Sequence, residues 1–538
     1  MSPLPENFPI KQKVKLTSRE PLIATKKLIE RLEEIQAQQK KKKTSLVHVS
    51  KVVKSAAFAY EKIRSAIDFK EEHLLRRGAI QRIVTRRLQF NQTSSQIAEG
   101  LINELIQSGY IKNDLVGVDD IKKTKTIIDK YLILIKTFSD KKEQGYFIPL
   151  ASVEIEEQLV SHAQEEILLK TLQKSITSDL QKDKRNKVDS VQLSLALHTI
   201  FLKSDITTLR FYLWKKYYSS WTKISVDYLN LTFDKQKIID ITAKIESDIK
   251  NPANKKLGKK VKSYNPLFII LQKIISKDAK TVKKIFYHPQ VLEEEARKII
   301  EAYHANTEQK LHRSIIRAII FVLITKVTLG VLVEIPYDLY LSGYINWLPL
   351  GINLVFPLFV MVLSASLINI PGKENTEKLV EDIKYIVYGR EKLIIAENKV
   401  RFSVSAPMTM TLKILYLVVF GGVFALVIWA LVSLDFNIVS GFFFFFFLSV
   451  VSFLAFRIRQ SANDLLVTTK KEGMLSTIID FLFLPFLKIG HWLAETFTGI
   501  NFFLFFLDFI IEAPFKLVLE VLGNWIDFVK KKKEELTN

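Results

Sequence analysis

Lys326 is the residue whose type and position most strongly indicate chemistry or an unusual structural role. It lies near the middle of an apolar segment, between Thr325 and Thr328. A charge at the centre of a membrane-spanning helix costs about 2.5–3.5 kcal/mol on insertion scales, so its ammonium group must face protein or water. Two interpretations remain open: a counter-ion or substrate contact inside a helix bundle, or a lysine that snorkels from a span shifted by several residues.

Two further polar residues lie near Lys326. Glu334 follows it by eight positions, which in a regular α-helix is about 80° round and about 12 Å along, too far for a direct pair without snorkelling. Asn353 lies in the next apolar segment, four residues from both Pro349 and Pro357. Kinked helices with a buried polar residue occur at transport sites, but prolines also kink helices that transport nothing. We favour the structural role.

A stripe of polar residues runs through the apolar C-terminal region. Its members recur at helical spacing and are Asn501, Asp508, Glu512, Lys516, Glu520, Asn524 and Asp527. Lys516 is four residues from Glu512 and can pair with it. Residues 476–529 are therefore predicted to form amphipathic helices, either flat in the headgroup layer or re-entrant as a hairpin with Asp508, Glu512 and Lys516 turned inward. We favour the interfacial arrangement.

Four apolar segments are long enough to position these residues in a membrane. A helix needs about twenty residues to cross the hydrocarbon layer. The continuous apolarity of the segments excludes the alternating pattern of a barrel strand, and six consecutive phenylalanines, residues 442–447, lie in the last one. The predicted transmembrane helices are residues 314–333, 346–370, 412–434 and 438–456.

The positions of lysine and arginine predict the orientation of these helices. The links 334–344 and 433–440 contain no Lys or Arg, whereas the loop 371–411 contains seven. Basic loops stay in the cytoplasm. We therefore predict a multi-pass protein of the cell (inner) membrane, with its N-terminus, the loop 371–411 and its C-terminus on the cytoplasmic side.

The first 313 residues read as successive helices. Apolar residues recur at helical spacing, as in Leu28, Leu32 and Ile35, and no convincing alternating strand occurs. The predicted fold class is all-α. The remaining divisions are a basic leader (1–44), a cytoplasmic helical domain (45–250), a basic linker (251–264), a helical connector (265–313) and a basic tail (530–538).

Aromatic and basic residues interleave in residues 210–221, a pattern that can hold single-stranded nucleic acid. The same segment also presents one apolar helical face, and we favour a core role for it. The residues of this predicted core face are Leu209, Leu213, Trp214, Tyr217 and Trp221.

The net charge of +22 indicates an anionic partner. Because the chain is predicted to be at a membrane, anionic lipid is favoured over nucleic acid. The candidate lipid-facing residues are Lys40, Lys41, Lys42, Lys43, Lys530, Lys531, Lys532 and Lys533. The absence of cysteine excludes disulfides and thiolate chemistry.

The common nucleotide-binding and hydrolase motifs are absent, and we assign no catalytic residue, metal or cofactor. The leading prediction is a non-enzymatic scaffold or interaction protein, whose cytoplasmic domain binds a protein partner or anionic lipid at the inner membrane face. The alternative is a channel or transporter, built as a homo-oligomer, with a path lined by Lys326, Asn353, Asp508 and Glu512. A lipid-modifying enzyme is the least favoured possibility, because no nucleophile accompanies the carboxylates.

Overall fold

A computed structural model describes most of the chain. The described residues are 19–41, 61, 71–112, 116–138, 140–181, 189–366, 373–389, 406–462, 474–499 and the single residues 521, 525 and 529.

The described residues are helical and include no β-strand, which confirms the predicted all-α class. The helices before the long apolar segments are α1 (Ile23–Lys41), α2 (Glu72–Gln89), α3 (Ser94–Gln107), α4 (Val118–Thr137), α5 (Lys141–Leu159), α6 (Ala163–Gln181), α7 (Ser190–Phe201), α8 (Ile206–Tyr217), α9 (Val226–Leu231), α10 (Lys235–Lys250), α11 (Pro252–Val261), α12 (Asn265–Ile275) and α13 (Ala279–Tyr287). The later helices are α14 (Pro289–Leu329), α15 (Ile335–Ser342), α16 (Trp347–Ser366), α17 (Lys373–Tyr388), α18 (Ala406–Ser433), α19 (Ile438–Ala462) and α20 (Met474–Gly499).

Short polar side chains determine where many of these helices begin. A side-chain oxygen at the residue before the helix accepts a hydrogen bond from a backbone N–H of the first turn, which contributes about 1 kcal/mol. The capping residues with this bond are Thr93, Asp189, Asp205, Ser225, Asp234, Asn251 and Asp278.

Two hydrophobic cores organise the helices outside the apolar segments. Core A draws on α1, α6, α7, α11–α14 and α17, with Leu32 and Phe268 among its buried residues. Core B draws mainly on α2–α5, α8 and α10, and includes Tyr131. Trp214 and Trp221 are fully buried in core B, which confirms the predicted core role of residues 210–221.

The segment 251–264 differs from the basic linker expected there. It forms α11 and a turn of 3-10 helix, and Val261 and Tyr264 are buried in core A. The most exposed positions of α11 are mainly lysines. The high charge of this segment therefore predicts a linker and does not reveal the side of the helix that packs against core A. Core A combines residues as distant as Leu28 and Tyr388, and therefore does not follow the predicted division into 45–250 and 265–313.

One continuous helix joins core A to the apolar segments. It comprises α14, a π-helical turn at Gly330–Glu334 and α15. Its 53 residues, Pro289–Leu341, correspond to a length of about 80 Å. Leu292 and Ile300 near its beginning are buried in core A, while Val322 is buried among the apolar helices.

The apolar bundle consists of the later part of α14 with α16, α18, α19 and α20. Within the described ranges, three helices are long and apolar enough to cross a membrane, namely Pro289–Leu341, Tyr416–Ser433 and Ile438–Ile458. The second predicted segment also contains a helix, α16, but its apolar part is shorter, Trp347–Leu363. The fold is thus that of a membrane protein by the length and composition of these helices.

Helix α17, from the loop between the second and third apolar segments, packs into core A. Leu379 and Ile383 are fully buried there. Lys384 Nζ lies 2.9 Å from Glu293 Oε2 of α14, and the Tyr388 hydroxyl donates to the Phe286 carbonyl at 3.0 Å. Core A is therefore incomplete without α17, which begins more than seventy residues after the first turn of α14.

We predict that Ile383→Ala lowers the free energy of unfolding of the full chain by about 2–4 kcal/mol, because it leaves a cavity in core A. Urea unfolding in mild detergent, followed by circular dichroism, measures the effect. The control Glu381→Ala, at an exposed position of the same helix, should change it by less than about 0.5 kcal/mol. Equal effects of the two substitutions would contradict the packing of α17 in core A.

Candidate functional site

Lys326 and Glu334 form a buried ion pair in the apolar bundle. The Lys326 ammonium group donates to Glu334 Oε1 at 2.8 Å. The Lys326 side chain is 3% exposed and that of Glu334 is 0% exposed, so both charges are removed from solvent. A buried charge is tolerable only with its counter-charge and further hydrogen bonds, and this pair supplies both.

The expectation that these two charges lie too far apart for a direct pair without snorkelling was wrong. It assumed a regular α-helix, whereas Gly330–Glu334 is a π-helical turn. The π-turn holds more residues per turn and so changes the angle between positions 326 and 334. Pro336 explains its location: proline lacks an N–H, and its ring collides with the carbonyl four residues earlier in a regular helix. The wider turn before Pro336 lets the helix continue.

Asn353 completes the cluster from α16. Its Nδ2 donates to Glu334 Oε2 at 2.9 Å and to the Ser440 backbone carbonyl of α19 at 3.0 Å. Since both partners are acceptors, the orientation of the amide follows from its hydrogen bonds. The structure thus brings together the three residues singled out in the first two apolar segments, and ties α14, α16 and α19 to one another.

Part of the phenylalanine tract encloses the ammonium group. Lys326 Nζ lies 5.3 Å from the ring centroid of Phe443 and 4.6 Å from that of Phe447. A desolvated cation over an aromatic face gains about 2 kcal/mol. The tract therefore contributes cation–π contacts as well as apolar surface.

A second buried polar cluster, near the start of α19, was missed by the sequence analysis. Asp338 of α15 is 3% exposed; it accepts hydrogen bonds from the Asn437 side chain and from the backbone N–H of Asn346 at 3.2 Å. Asn437 also accepts from the backbone N–H of Ser440. The spacing in the sequence could have identified Asp338, because it is four residues after Glu334 and shares its helical face.

The predicted C-terminal and tail residues have a different status. Asp508, Glu512, Lys516, Lys42, Lys43 and Lys530, Lys531, Lys532 and Lys533 lie outside the described residues, while Lys40 and Lys41 are at the end of α1. Helix α20, the first part of the predicted amphipathic region, packs in the apolar bundle. Its Phe486 is buried between Phe424 and Phe445, and the absence of a side chain at Gly490 lets it approach the Ser449 carbonyl.

A polar cleft of about 540 Å³ lies where core A meets core B. We call it the inter-core cleft. It was also missed by the sequence analysis, because its residues come from helices distant in sequence and form no motif. Its lining includes His73, Arg76, Glu156, His162 and Lys203, together with the rings of Tyr212 and Phe268.

Glu156 is the centre of a charge network at this cleft. Arg76 Nε donates to its Oε1 at 2.9 Å, and His162 Nε2 lies 2.9 Å from its Oε2. Burial acts to raise the pKa of Glu156, but His162 and Arg76 outweigh it and lower the pKa. Burial acts to lower the pKa of His162, and its hydrogen bond and attraction to Glu156 outweigh this and raise it. The network favours the charged forms of both partners.

No group of three or more potential metal-ligating His, Asp or Glu side chains occurs within the described ranges. The chain matches no protein-family model, no curated protein and no solved structure. The class defined by the fold is therefore a helical protein with membrane-spanning helices by composition, a buried ion pair among them and a polar cleft outside them.

We predict that Lys326→Met and Glu334→Gln each lower the free energy of unfolding by about 3–5 kcal/mol, because each leaves one buried charge without its counter-charge. The double variant should regain most of that loss, since the amide oxygen introduced by Glu334→Gln can still accept from Asn353. Unfolding with sodium dodecyl sulfate in mixed micelles measures the three variants. Additive losses would be incompatible with a coupled buried pair.

We predict that His162→Gln destabilises the chain by about 1 kcal/mol near pH 5.5 and by much less near pH 9. A raised pKa means that the stabilisation is complete below the unfolded value of about 6.5 and is lost as pH rises through the folded value. The charged and titratable groups facing His162 are Glu156, Glu157, Glu165, Arg76 and His73.

Urea unfolding of the full chain at the two pH values, followed by tryptophan fluorescence, tests the His162 prediction. His312→Gln removes an exposed histidine and serves as the control. A destabilisation by His162→Gln that is the same at both pH values would show that the ion pair with Glu156 makes no contribution.

Proposed function

We propose that this chain is a membrane-anchored interaction protein, with its helical part outside the apolar bundle held at the cytoplasmic face of the cell membrane, where it binds a partner. The observation that carries the proposal is the double connection of core A to the bundle. Helix α14 runs continuously from core A into the bundle, and α17 returns to core A from between two apolar segments. Two connections restrict movement far more than a single flexible tether does.

The contacts of α17 also support the proposed orientation. This helix belongs to the basic loop 371–411, and Leu22 donates its backbone N–H to the Val387 carbonyl at 2.8 Å. This contact supports an arrangement with the N-terminal helices and this loop on the same side of a membrane that the apolar segments cross. Basic loops are cytoplasmic, so the charge pattern and the packing favour one arrangement.

The inter-core cleft is the proposed docking position for the partner. Binding sites occur preferentially where two packed units meet and where polar groups converge in a concavity. Lys203 lies at its edge with 58% of its side chain exposed, paired with Glu71 at 2.6 Å. Surface ion pairs of this kind contribute little to stability, so a partner can displace them at small cost.

The channel or transporter alternative receives less support from the described residues. A polar path requires groups that face an opening, whereas Lys326 and Asn353 both contact Glu334. The rings of Phe443 and Phe447 lie against the Lys326 ammonium group, and Asn353 is fully buried. We therefore interpret the cluster of Lys326, Glu334 and Asn353 as a structural one that holds the helices of the bundle together.

The burial of Phe486 favours the re-entrant alternative for α20 over a helix lying flat in the headgroup layer.

Site-specific photocrosslinking in cells tests the proposal. A photoreactive residue in place of Lys203 should give a discrete protein adduct of the full chain, because it lies in the docking cleft. The control places the same residue at Lys255, an exposed position of α11 that does not line the cleft. Adducts that are absent from position 203, or identical at both positions, would count against a partner in the cleft.

A further inference from the structure

One face of α14 carries three basic side chains just before its apolar part. Lys310, Arg313 and Arg317 follow each other at intervals of three and four residues, so they share a helical face. All three are exposed. None takes part in an ion pair within the described part of the chain, and Arg313 donates only to the Gln309 carbonyl of its own helix, at 3.2 Å. The face therefore presents three positive charges that no acidic side chain among the described residues neutralises.

An exposed apolar row continues this face along the helix. Ile320, Phe321 and Ile324 are 50%, 59% and 59% exposed, and Val331 is 55% exposed further on. From Ile320 to Val331 the helix rises by about 16 Å. Half of a hydrocarbon layer of about 30 Å is about 15 Å, so the apolar row matches the depth of one leaflet.

The opposite face of α14 is occupied by protein. Val322 follows Arg313 by nine residues, which is about 180° round the helix, and it is 1% exposed. Lys326, on nearly the same side as Val322, is 3% exposed. The basic residues and the apolar row thus point away from the bundle, to where lipid would contact the helix.

We propose that Lys310, Arg313 and Arg317 bind the phosphate group of an anionic phospholipid whose acyl chain lies along Ile320, Phe321 and Ile324. The inference rests on the proposed membrane location and is independent of a partner in the cleft. Arginine is suited to phosphate because its planar fork donates two parallel hydrogen bonds. Three unpaired cations favour an anionic headgroup over a zwitterionic one.

The apolar row selects a lipid rather than a free phosphate. A soluble phosphate would contact only the basic side chains, whereas a phospholipid also covers the apolar surface directly beneath them. Because hydrocarbon already surrounds that surface in a bilayer, the acyl chain adds no transfer energy of its own and instead holds the headgroup beside the basic side chains. The site therefore requires both the anionic headgroup and the chain, which distinguishes it from nonspecific attraction by the net charge of +22.

Native mass spectrometry of the full chain in mild detergent, titrated with phosphatidylglycerol or phosphatidylcholine, tests the proposal. Arg313→Gln/Arg317→Gln should weaken phosphatidylglycerol binding by roughly ten- to thirty-fold and leave phosphatidylcholine binding unchanged. The matched control Lys255→Gln/Lys256→Gln removes the same charge from exposed positions of α11, and should retain the affinity of the unaltered chain.

Two further measurements keep the result interpretable. Arg313→Lys/Arg317→Lys keeps both charges and should lose less affinity than the glutamine variant, which separates charge from a folding defect. Glycerol 3-phosphate, which has no acyl chain, should compete poorly with phosphatidylglycerol. Equal loss in the α11 control, equal affinity for the two lipids, or full competition by glycerol 3-phosphate would overturn the proposal. The crosslink at position 203 is expected to persist in the glutamine variant, so this result is separate from that on the partner.

Discussion

The ion pair between Lys326 and Glu334 constrains the position of every helix around it. Burying either charge alone is strongly unfavourable. The two side chains must therefore stay within hydrogen-bonding distance of each other inside the apolar bundle. The π-turn at Gly330–Glu334 makes this possible on one helix, and Asn353 extends the contact to α16 and, through the Ser440 carbonyl, to α19. Apolar helices in lipid gain little from hydrophobic association alone, so buried polar contacts of this kind define which faces meet.

The same helix carries that constraint to the rest of the chain. Leu292 and Ile300 of α14 are buried in core A, and no break separates them from Lys326 in the continuous helix. Because α17 also belongs to core A, this helix of the loop between the second and third apolar segments is held by contacts outside the bundle. The position of core A relative to the apolar helices therefore depends on packing at both ends of α14 and on the return of α17.

Hydropathy and helical spacing predicted the all-α class, the apolar segments and the core role of Trp214 and Trp221, because each of these depends on residues close together in sequence. They could not predict that Lys326 reaches Glu334, since a π-turn changes the helical register and the effect of Pro336 depends on the helix continuing past it. The inter-core cleft could not be predicted from the sequence for another reason. Arg76 lies eighty residues before Glu156 in the sequence and reaches it only when α2 packs against α5. No spacing in the sequence indicates that contact.

Different sides of α14 make different contacts. Val322 follows Ile300 of core A by twenty-two residues, which at about 100° per residue puts these two buried positions only about 40° apart. Arg313 lies about 140° round the helix from Ile300 and about 180° from Val322, so it is clear of both sets of contacts. One helix can thus contact core A at its start, hold a buried ion pair near its end and still present a free basic and apolar face between them. That combination explains why its sequence has no single amphipathic pattern.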